Sequence, residues 1–483
     1  MQFQNDEITQ RKQANSKQML SFSDLFAVLI GLTKTPSSNT LRLSRICLLI
    51  SQNQASIEKD LNQEDAGSDR RFSFLAANPN EQQRFTTHEQ IHHWKQCLTN
   101  SKQGSPITSP DLAHIPFHSG WIGYFSYPSN KQVNNSTRNK TALAEFNYYP
   151  WAICFDHQAQ VFHLLGRPDS AAKEAFNWLL QAQTDLLSNN LKHRPTGNST
   201  TEFKADPFVA KWAKTDYQQA FDQIQDYLLA GDCYQVNLTQ PFVSPKYSGS
   251  AIDTLLPLFN ALEPSFGCYF QGHDCELVSV SPERFISIDS HGKLEAKPIK
   301  GTIKRSDDTT LDKELVVELI NSAKNRAENL MIVDLLRNDL SMSAIPGSVQ
   351  VDKLLELESH PNVHHLVSTI SAQLRPDTHQ IEAICSAFPG GSITGAPKKR
   401  AMEIIEELEI QPRSLYCGSF GYFSDTGNTD FNILIRNLEF RENTITCWGG
   451  GGITVDSECD DEYEESITKI QSIMDVIERA GKT

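Results

Sequence analysis

The sequence lacks the features that mark membrane, secreted and disulfide-stabilised proteins. Its longest apolar runs, such as residues 25–30, fall far short of the roughly 20 residues that a membrane-spanning helix needs. The N-terminus has no basic segment followed by an apolar one, so we expect neither a signal peptide nor a membrane partner. The ten cysteines form no Cys-x-x-Cys pair, which excludes a disulfide scaffold and predicts reduced thiols in a cytoplasmic protein.

Positive charge is also scarce. Lys and Arg number 44 against 59 Asp and Glu, which gives a net charge of −15. Such a chain is a poor candidate for binding nucleic acid or an anionic membrane through its overall charge. A local cationic pocket can still bind a small anion. With 483 residues, 39% of them hydrophobic, the chain can bury a sizeable core, so a wholly disordered protein is excluded.

A polar stretch at residues 188–206, rich in Asn, Ser, Thr and Pro, predicts a linker between an N-terminal region, residues 1–187, and a second part, residues 207–483. Apolar spacing predicts helices at residues 170–187, 216–229, 311–340, 396–408 and 460–480. Short apolar runs predict a strand at 120–127, two strands within 146–165 and a β-meander over 418–448. Strands and helices mix without strict alternation, which favours an α+β fold.

Three acidic residues on two predicted helices are candidate metal ligands. Glu462 and Glu465 are three residues apart on the terminal helix, so they share a face. Glu328 lies on the long middle helix. Mg²⁺ binds oxygen ligands and usually relies on one or two carboxylates plus the substrate. The spacing alone is equally typical of a solvated acidic face, and both interpretations stay open.

Two glycine-rich segments offer backbone N–H groups to an anion. Gly449 to Gly452 follow a predicted strand and suit the close approach of a carboxylate or phosphate, or form a tight turn. Residues 389–398 predict a turn that opens a helix, with Thr394 as a candidate cap and Pro397 in the first turn. Neither segment has the spacing of a P-loop or a dinucleotide-binding loop.

Glu283 and Lys300 lie on neighbouring predicted strands. A carboxyl and an amine in one apolar pocket are a plausible general acid and nucleophile, and an ordinary ion pair is the alternative. His364 and His365 are adjacent on a predicted strand, so they point to opposite faces and are not expected to bind one metal.

In this order along the chain, the motifs resemble those of the chorismate-utilising enzymes, which include anthranilate, aminodeoxychorismate, isochorismate and salicylate synthases. The resemblance is dense over residues 214–477 and weaker over 70–127. The sequence A-E-N-L-M-I-V-D-L at 327–335, the turn at 388–398 and the loop Gly450–Ile453 carry it. It implies an α+β fold of two facing antiparallel β-sheets with outer helices, in which the N-terminal and C-terminal parts pack as one unit around a cleft.

Three positions make the sequence similar to the aminodeoxychorismate branch of this family. Lys300 stands where anthranilate synthases typically carry alanine. The Gly390-Gly391-Ser392 segment is also similar to that branch. Gln235 stands where isochorismate synthases use a lysine to activate water, and an amide cannot serve as that base. Anthranilate synthase component I is the alternative activity.

The resemblance implies catalytic and metal-binding roles for the matched residues. Lys300 would attack the ring, Glu283 would protonate the departing hydroxyl, and His365 would orient the ring together with Thr302. Mg²⁺ would bind the ring carboxylate of the substrate, and its implied ligands are Glu328 and Glu465, with Glu462 nearby. Asn325 occupies a position that is often acidic in the family, which is expected to weaken the outer metal shell.

The resemblance also implies substrate contacts and partners. The remaining implied substrate-binding residues are Ser392, Tyr416, Arg436, Gly450, Gly451, Gly452 and Lys469. The sequence contains no Gly-x-Cys-x-Gly nucleophile turn of a glutamine amidotransferase, so ammonia is expected from a separate glutaminase subunit. A lyase would act on the product to give 4-aminobenzoate for folate synthesis. A non-catalytic binding protein, the other class of alternative, is expected to lack one of the implied catalytic residues.

Overall fold

The computed structural model describes residues 43–50, 71–100, 110–129, 142–187, 203–359 and 363–480. Most of residues 1–68 and of the predicted linker at 188–206 lie outside these ranges, so the domain boundary remains a prediction. In the described part of the chain, no helix is long and apolar enough to cross a membrane. All ten cysteines are described and free, which agrees with the excluded disulfide scaffold.

Two large antiparallel sheets contain nearly all of the described strands. The first sheet has eleven strands: β1 (Cys47–Ile50), β2 (Phe72–Ala76), β6 (Trp151–Asp156), β7 (Val161–Gly166), β9 (Val209–Ala210), β10 (Gln235–Ser244), β12 (Phe266–Gln271), β13 (Glu276–Ser281), β19 (Gly395–Ala396), β22 (Asn437–Arg441) and β23 (Thr444–Ile453). The second has ten: β3 (Glu81–Phe85), β4 (Gly120–Phe125), β5 (Ala144–Tyr149), β14 (Arg284–Ile288), β15 (Lys293–Ala296), β16 (Ile299–Lys304), β17 (Gln350–Ser359), β18 (Val363–Gln373), β20 (Ser419–Ser424) and β21 (Thr429–Ile433). A separate pair joins β8 (Lys204–Ala205) to β11 (Tyr247–Ser248).

Strands from both sides of the predicted linker share each sheet. The first sheet runs in the order β19-β10-β23-β22-β13-β12-β1-β2-β6-β7, with β9 beside β10. The second runs β16-β18-β15-β14-β21-β20-β4-β5-β3, with β17 on the other side of β18. Backbone hydrogen bonds between β12 and β1, and between β20 and β4, therefore join the two parts of the chain into one unit.

The described helices cover the outer faces of the sheets. They are α1 (His88–Asn100), α2 (Ser170–Leu187), α3 (Lys214–Leu229), α4 (Leu255–Leu262), α5 (Thr309–Asn321), α6 (Ala323–Ser341), α7 (Gln380–Ala387), α8 (Lys398–Leu408) and α9 (Cys459–Ala480). The long predicted helix at 311–340 is two helices, because Ser322 has extended backbone angles at the junction of α5 and α6. Its hydroxyl caps α6 by accepting a hydrogen bond from the backbone N–H of Asn325.

Three clusters of buried side chains form the core. Between the sheets, Phe270 of the first packs on Tyr124 and Phe420 of the second, with ring centroids 6.0 and 5.4 Å away. A second cluster joins the first sheet to α2, α4 and α9, and a third joins the second sheet to α6 and α7. The helix–sheet–sheet–helix order confirms the predicted α+β fold with two facing antiparallel sheets.

Two crossings between the sheets were not predicted. The expected meander over 418–448 is divided, since β20 and β21 belong to the second sheet while β22 and β23 belong to the first. The chain crosses the other way between β13 and β14. The two crossings are bonded to each other, because the Ser281 hydroxyl donates to the Ile433 carbonyl, at 2.7 Å, and the Ile433 N–H donates to the Glu283 carbonyl, at 3.1 Å. Residues 146–165 also hold parts of three strands rather than two, namely β5, β6 and β7.

A buried ion pair ties the first sheet to the glycine-rich turn before α8. Arg413, only 1% exposed, donates two hydrogen bonds to the carboxylate of Glu409, at 2.8 and 2.7 Å. It also donates to the Asn237 carbonyl in β10, at 2.9 Å, and to the Ile393 carbonyl in the turn, at 3.0 Å. Glu409 in turn accepts from the backbone and the hydroxyl of Thr239. Each charge is therefore paired and hydrogen-bonded, as burial requires.

We expect Arg413→Ala to lower the free energy of unfolding by about 3–5 kcal/mol, because it leaves Glu409 buried without its partner. Urea denaturation measures the change. Arg400→Ala is the control, since Arg400 pairs with Asp232 and Glu403 at the surface and should lose less than about 1 kcal/mol. Equal losses in the two variants would contradict the assignment.

Candidate active site

A bulge in β16 aims Lys300. The pairing register of β16 with β18 shifts between Ile299 and Thr302. Gly301 lies within that shift and has a backbone φ of +90°, which residues other than glycine rarely adopt. Bulges redirect the side chains next to them. The half-buried Lys300 amine donates a hydrogen bond to the backbone carbonyl of Ser392, at 3.4 Å.

Glu283 lies at the crossing between β13 and β14. Its side chain is buried, and its Oε1 accepts a hydrogen bond from the Ser392 hydroxyl, at 2.8 Å. The prediction that Glu283 and Lys300 lie on neighbouring strands is wrong, because β18 and β15 separate β16 from β14 in the sheet. Ser392, which lies after the glycines of the turn at 389–398, contacts both side chains.

Burial shifts the pKa values of the two groups in opposite directions. Loss of solvent lowers the pKa of the Lys300 amine, and the positive charge of Lys469 adds to the effect, while Glu328, Glu283 and Glu465 oppose it. Loss of solvent raises the pKa of Glu283, against the lowering effects of the Ser392 hydrogen bond and of Lys300 and Lys469. These directions favour the neutral amine and the neutral acid, which are the forms that a nucleophile and a general acid require.

The two adjacent histidines of β18 have different partners, as predicted from their opposite orientations. His365 is hydrogen-bonded through Nδ1 to the Thr302 hydroxyl on the paired strand β16, at 2.7 Å. His364 is buried and contacts Ser359 and Asp312 instead. Thr302 lies on β16, the strand that carries Lys300, so this hydrogen bond joins His365 to that strand.

The four glycines at 449–452 do not follow a strand or form a turn. They lie inside β23, opposite β10, which corrects the expectation from the sequence. The space that a Cβ would need is occupied by backbone carbonyls of Ser466 and Leu238 at Gly449 and Gly450, and by side chains at Gly451 and Gly452. A Cβ on Gly451 would lie 2.9 Å from a Glu462 oxygen and 3.4 Å from a Glu465 oxygen, and one on Gly452 would lie 2.1 Å from the Gln235 amide nitrogen.

The α9 carboxylates converge over Gly451 with different environments. Glu462 is buried and accepts a hydrogen bond from the Ser457 hydroxyl, at 2.7 Å, and burial raises its pKa. Burial alone would also raise the pKa of Glu465, but the ammonium of Lys469, 2.5 Å away, lowers it overall. Lys469 also donates to the Gly450 carbonyl, at 3.1 Å.

Helix α6 faces the same carboxylates. The Lys324 ammonium lies 4.0 Å from Glu462, and Glu328, four residues later, shares its face of the helix. Among the described residues, no group of three or more acidic, His or Cys side chains is placed to hold a metal by itself. The two converging carboxylates nevertheless fit Mg²⁺, which prefers oxygen ligands and is usually completed by water and substrate.

We expect Glu465→Gln to weaken Mg²⁺ binding by about 10-fold or more, because it removes one of the two converging charges. Titration calorimetry with magnesium chloride measures this without turnover. Glu464→Gln is the matched control, since Glu464 is the exposed neighbour on α9. Equal weakening in both variants would remove Glu465 from the metal site.

Arg436 lies in the crossing between β21 and β22, and Tyr416 lies in the segment before β20. The half-buried Arg436 has a left-handed φ of 55° between β21 and β22. Burial lowers its pKa, and its guanidinium forms no hydrogen bond or ion pair with the described residues. Tyr416 stacks on Trp448 with the ring planes 6° apart. The structure records no contact between Arg436 and Tyr416, so their predicted joint role stays a prediction.

Sequence reasoning missed the residues that hold Ser392 in place. The Asn237 amide donates to the Ser392 carbonyl, at 3.2 Å, and accepts from the Gln235 amide, at 3.1 Å. Thr394, the predicted cap, instead donates its hydroxyl to the Gly390 carbonyl, and α8 begins at Lys398. The alternation of polar and apolar residues in β10 indicates that Gln235 and Asn237 share one face of the strand. It does not reveal that this face contacts the turn that carries Ser392.

Comparisons with known proteins agree with this geometry. A family model described as chorismate binding enzyme matches residues 55–475. The Salmonella typhimurium protein named aminodeoxychorismate synthase component 1 is 40% identical over 379 residues, which are 77% of this chain and 79% of that protein. The Escherichia coli protein of the same name is 40% identical over 370 residues, 76% of this chain and 78% of that protein.

Solved structures show the same fold. The crystal structure of anthranilate synthase component I from Streptococcus pneumoniae superposes with a TM-score of 0.69 at 24% identity, covering 95% of this chain and 100% of that one. At this identity the likeness establishes the fold alone. The family resemblance predicted from the motifs is confirmed by the sequence matches, and the chain belongs to the chorismate-binding enzyme family.

Proposed function

We propose that this chain converts chorismate and ammonia into 4-amino-4-deoxychorismate, the activity that the names of its 40%-identical relatives state. The observation that carries the proposal is the contact of Ser392 with both Lys300 and Glu283. A buried carboxyl with a raised pKa and an amine with a lowered pKa, both in contact with one serine, suit a displacement at an allylic alcohol.

Binding of the substrate depends on local positive charge. Chorismate is a dianion, and the chain carries a net charge of −15, so attraction cannot come from the protein as a whole. Arg436, whose guanidinium forms no ion pair with the described residues, suits a bidentate contact with the enolpyruvyl carboxylate. Tyr416, Lys469 and the backbone of Gly450 to Gly452 complete the proposed contacts.

The ring carboxylate is the proposed partner of the metal site. Glu328 and Glu465 would hold Mg²⁺, with Glu462 nearby, and the bound ion would supply positive charge against that carboxylate. His365, fixed by its hydrogen bond to Thr302, is positioned to orient the ring.

The first displacement uses both catalytic groups. The neutral Lys300 amine attacks C2 of the ring, and a C2–N bond forms as both ring double bonds shift, one to C1=C6 and the other to C4=C5. The C4–O bond breaks, and Glu283 gives its proton to the departing oxygen, so that water leaves. Glu283 is then a carboxylate, stabilised by the hydrogen bond from Ser392.

The second displacement restores the enzyme. Ammonia attacks C4, both ring double bonds shift back to C5=C6 and C1=C2, and the C2–N bond to Lys300 breaks. The Glu283 carboxylate accepts the proton that the new C4 ammonium loses. The product carries nitrogen at C4, and both catalytic groups return to their starting protonation states.

The ammonia requires a partner. The chain has no Gly-x-Cys-x-Gly turn, and its relatives are named as component 1, so we infer that a second component, a glutaminase, supplies the ammonia. A lyase would then act on the product to give 4-aminobenzoate. We place the reaction in the cytoplasm.

Anthranilate synthase component I is the second candidate. The Bacillus pumilus protein of that name is 30% identical over 497 residues, 97% of this chain and 96% of that protein. Lys300 argues for the first candidate, because direct attack of ammonia at C2 needs no amine from the enzyme.

The deciding experiment incubates the purified chain with chorismate, Mg²⁺ and an ammonium salt at alkaline pH and identifies the products by liquid chromatography and mass. We expect 4-amino-4-deoxychorismate. Lys300→Ala should lower its formation at least about 100-fold, because it removes the attacking amine. Lys304→Ala, an exposed lysine on the same strand, should retain the wild-type rate. Anthranilate as the wild-type product would establish the second candidate instead.

A pH profile tests the role of Glu283. Activity needs its protonated form, so activity falls as the pH rises through the Glu283 pKa. The Ser392 hydroxyl lowers that pKa by stabilising the carboxylate. Ser392→Ala should therefore raise the Glu283 pKa further. The fall of kcat/KM on the high-pH side of the profile should then move to higher pH by about one unit.

The control for this profile is Ser386→Ala, which removes a half-buried hydroxyl that donates to the Ala383 carbonyl within α7. Its alkaline decline should match the wild type. A Ser392→Ala profile that does not move, or that moves to lower pH, would contradict the assignment of Glu283 as the acid.

A further inference from the structure

The residue after Lys300 is enclosed by the junction of α5 and α6. A Cβ on Gly301 would lie 3.2 Å from both Cβ and Cγ of Asn325 and 3.3 Å from Cδ1 of Leu319. Contacts this short are tighter than most Cβ contacts in proteins, so a side chain at this position would require Asn325 or Leu319 to shift. Asn325 therefore lies directly against the backbone of the bulge that aims Lys300.

Helix α6 is fixed in this position by buried polar contacts. The side-chain oxygen of Asn329, one turn after Asn325, accepts a hydrogen bond from the Ser368 hydroxyl on β18, at 2.6 Å. Asn329 is fully buried, and its amide nitrogen lies 3.5 Å from the Leu366 carbonyl on the same strand. The face of α6 that carries Asn325 thus remains against β16 and β18.

The side chain of Asn325 is a neutral amide, although charged side chains lie near the lysine beside it. The charged groups that act on the Lys300 amine are Glu283 at the sheet crossing, Glu328 on α6, and Glu465 and Lys469 on α9. The same elements and the paired strand also carry Lys324 on α6, which lies 4.0 Å from Glu462 on α9, and His365 on β18, which bonds to Thr302. Glu328 is three residues after Asn325 and shares its helix face. A carboxylate in place of the Asn325 amide would join the acidic groups that favour the ammonium form of Lys300.

We propose that Asn325 is a positioning residue for Lys300: it packs against the Gly301 bulge that aims the lysine, and its neutral amide keeps a further carboxylate away from the amine. The inference rests on the proposed function in taking Lys300 as the nucleophile. The placement of Asn325 against Gly301 does not depend on it.

The test measures the protonation of Lys300 directly. The whole protein, kept metal-free with a chelator, is labelled with a limiting amount of acetic anhydride across a series of pH values, and mass spectrometry quantifies acetylation of Lys300. Asn325→Asp, which keeps the side-chain shape and adds one charge, should move the labelling midpoint of Lys300 upward by about 0.5–1 pH unit. Asn325→Ala, which adds no charge, should leave the midpoint near the wild-type value.

Asn338→Asp is the matched control, because it adds the same charge to an exposed position of the same helix and should not move the Lys300 midpoint. An unchanged midpoint in Asn325→Asp would overturn the proposal, and so would an equal shift in Asn325→Ala or Asn338→Asp. The labelling needs no turnover. A wild-type chain that makes no 4-amino-4-deoxychorismate would therefore overturn the proposed function without changing this result.

Discussion

The contact between Arg413 and two backbone carbonyls is the constraint on which the catalytic geometry depends. One guanidinium joins the Asn237 carbonyl of β10 to the Ile393 carbonyl of the glycine-rich turn. Ser392, next to Ile393, then presents its hydroxyl to Glu283 and its carbonyl to Lys300. These two groups come from strands that are not neighbours in the sheet. The ion pair is thus less a source of net stability than a means of fixing one turn relative to two strands.

Close backbone approach is the second constraint, and it explains where glycine occurs. The carboxylates of Glu462 and Glu465 occupy the space that a Cβ on Gly451 would need. The Gln235 amide occupies the corresponding space beside Gly452. A strand without side chains at these points lets polar groups from α9 and β10 meet over it. Gly301 serves a different purpose, because its positive φ forms the bulge beside Lys300. Glycine in this site therefore provides space for neighbouring side chains in β23 and a positive backbone φ in β16.

The sequence predicted the elements better than their arrangement. Apolar periodicity is local, and it located α2 and α9 to within a residue. The crossings that carry Glu283 and Arg436 depend on which strands pair across more than a hundred residues of sequence, and no local pattern encodes that choice. The same limit explains why Gly449 to Gly452 were expected after a strand, since glycine is disfavoured in strands unless a neighbour needs the space. The identities of the candidate site residues came from the family motifs, whereas the contacts of Asn237 and Arg413 required the structure.

Desolvation shifts the pKa values of both proposed catalytic groups, Lys300 and Glu283, toward their neutral forms. The mutual attraction of Lys300 and Glu283 favours their charged forms, and so does the Ser392 hydrogen bond to the Glu283 carboxylate. Burial acts against these effects and is the largest influence on the pKa of each group. Ser392 contacts both groups, and no ion pair joins their side chains. Had the amine and the carboxyl met directly, their attraction would have stabilised an ammonium and a carboxylate, neither of which can begin the proposed displacement. A serine that contacts both, rather than a direct contact, therefore suits a pair that must begin as a neutral amine and a neutral acid.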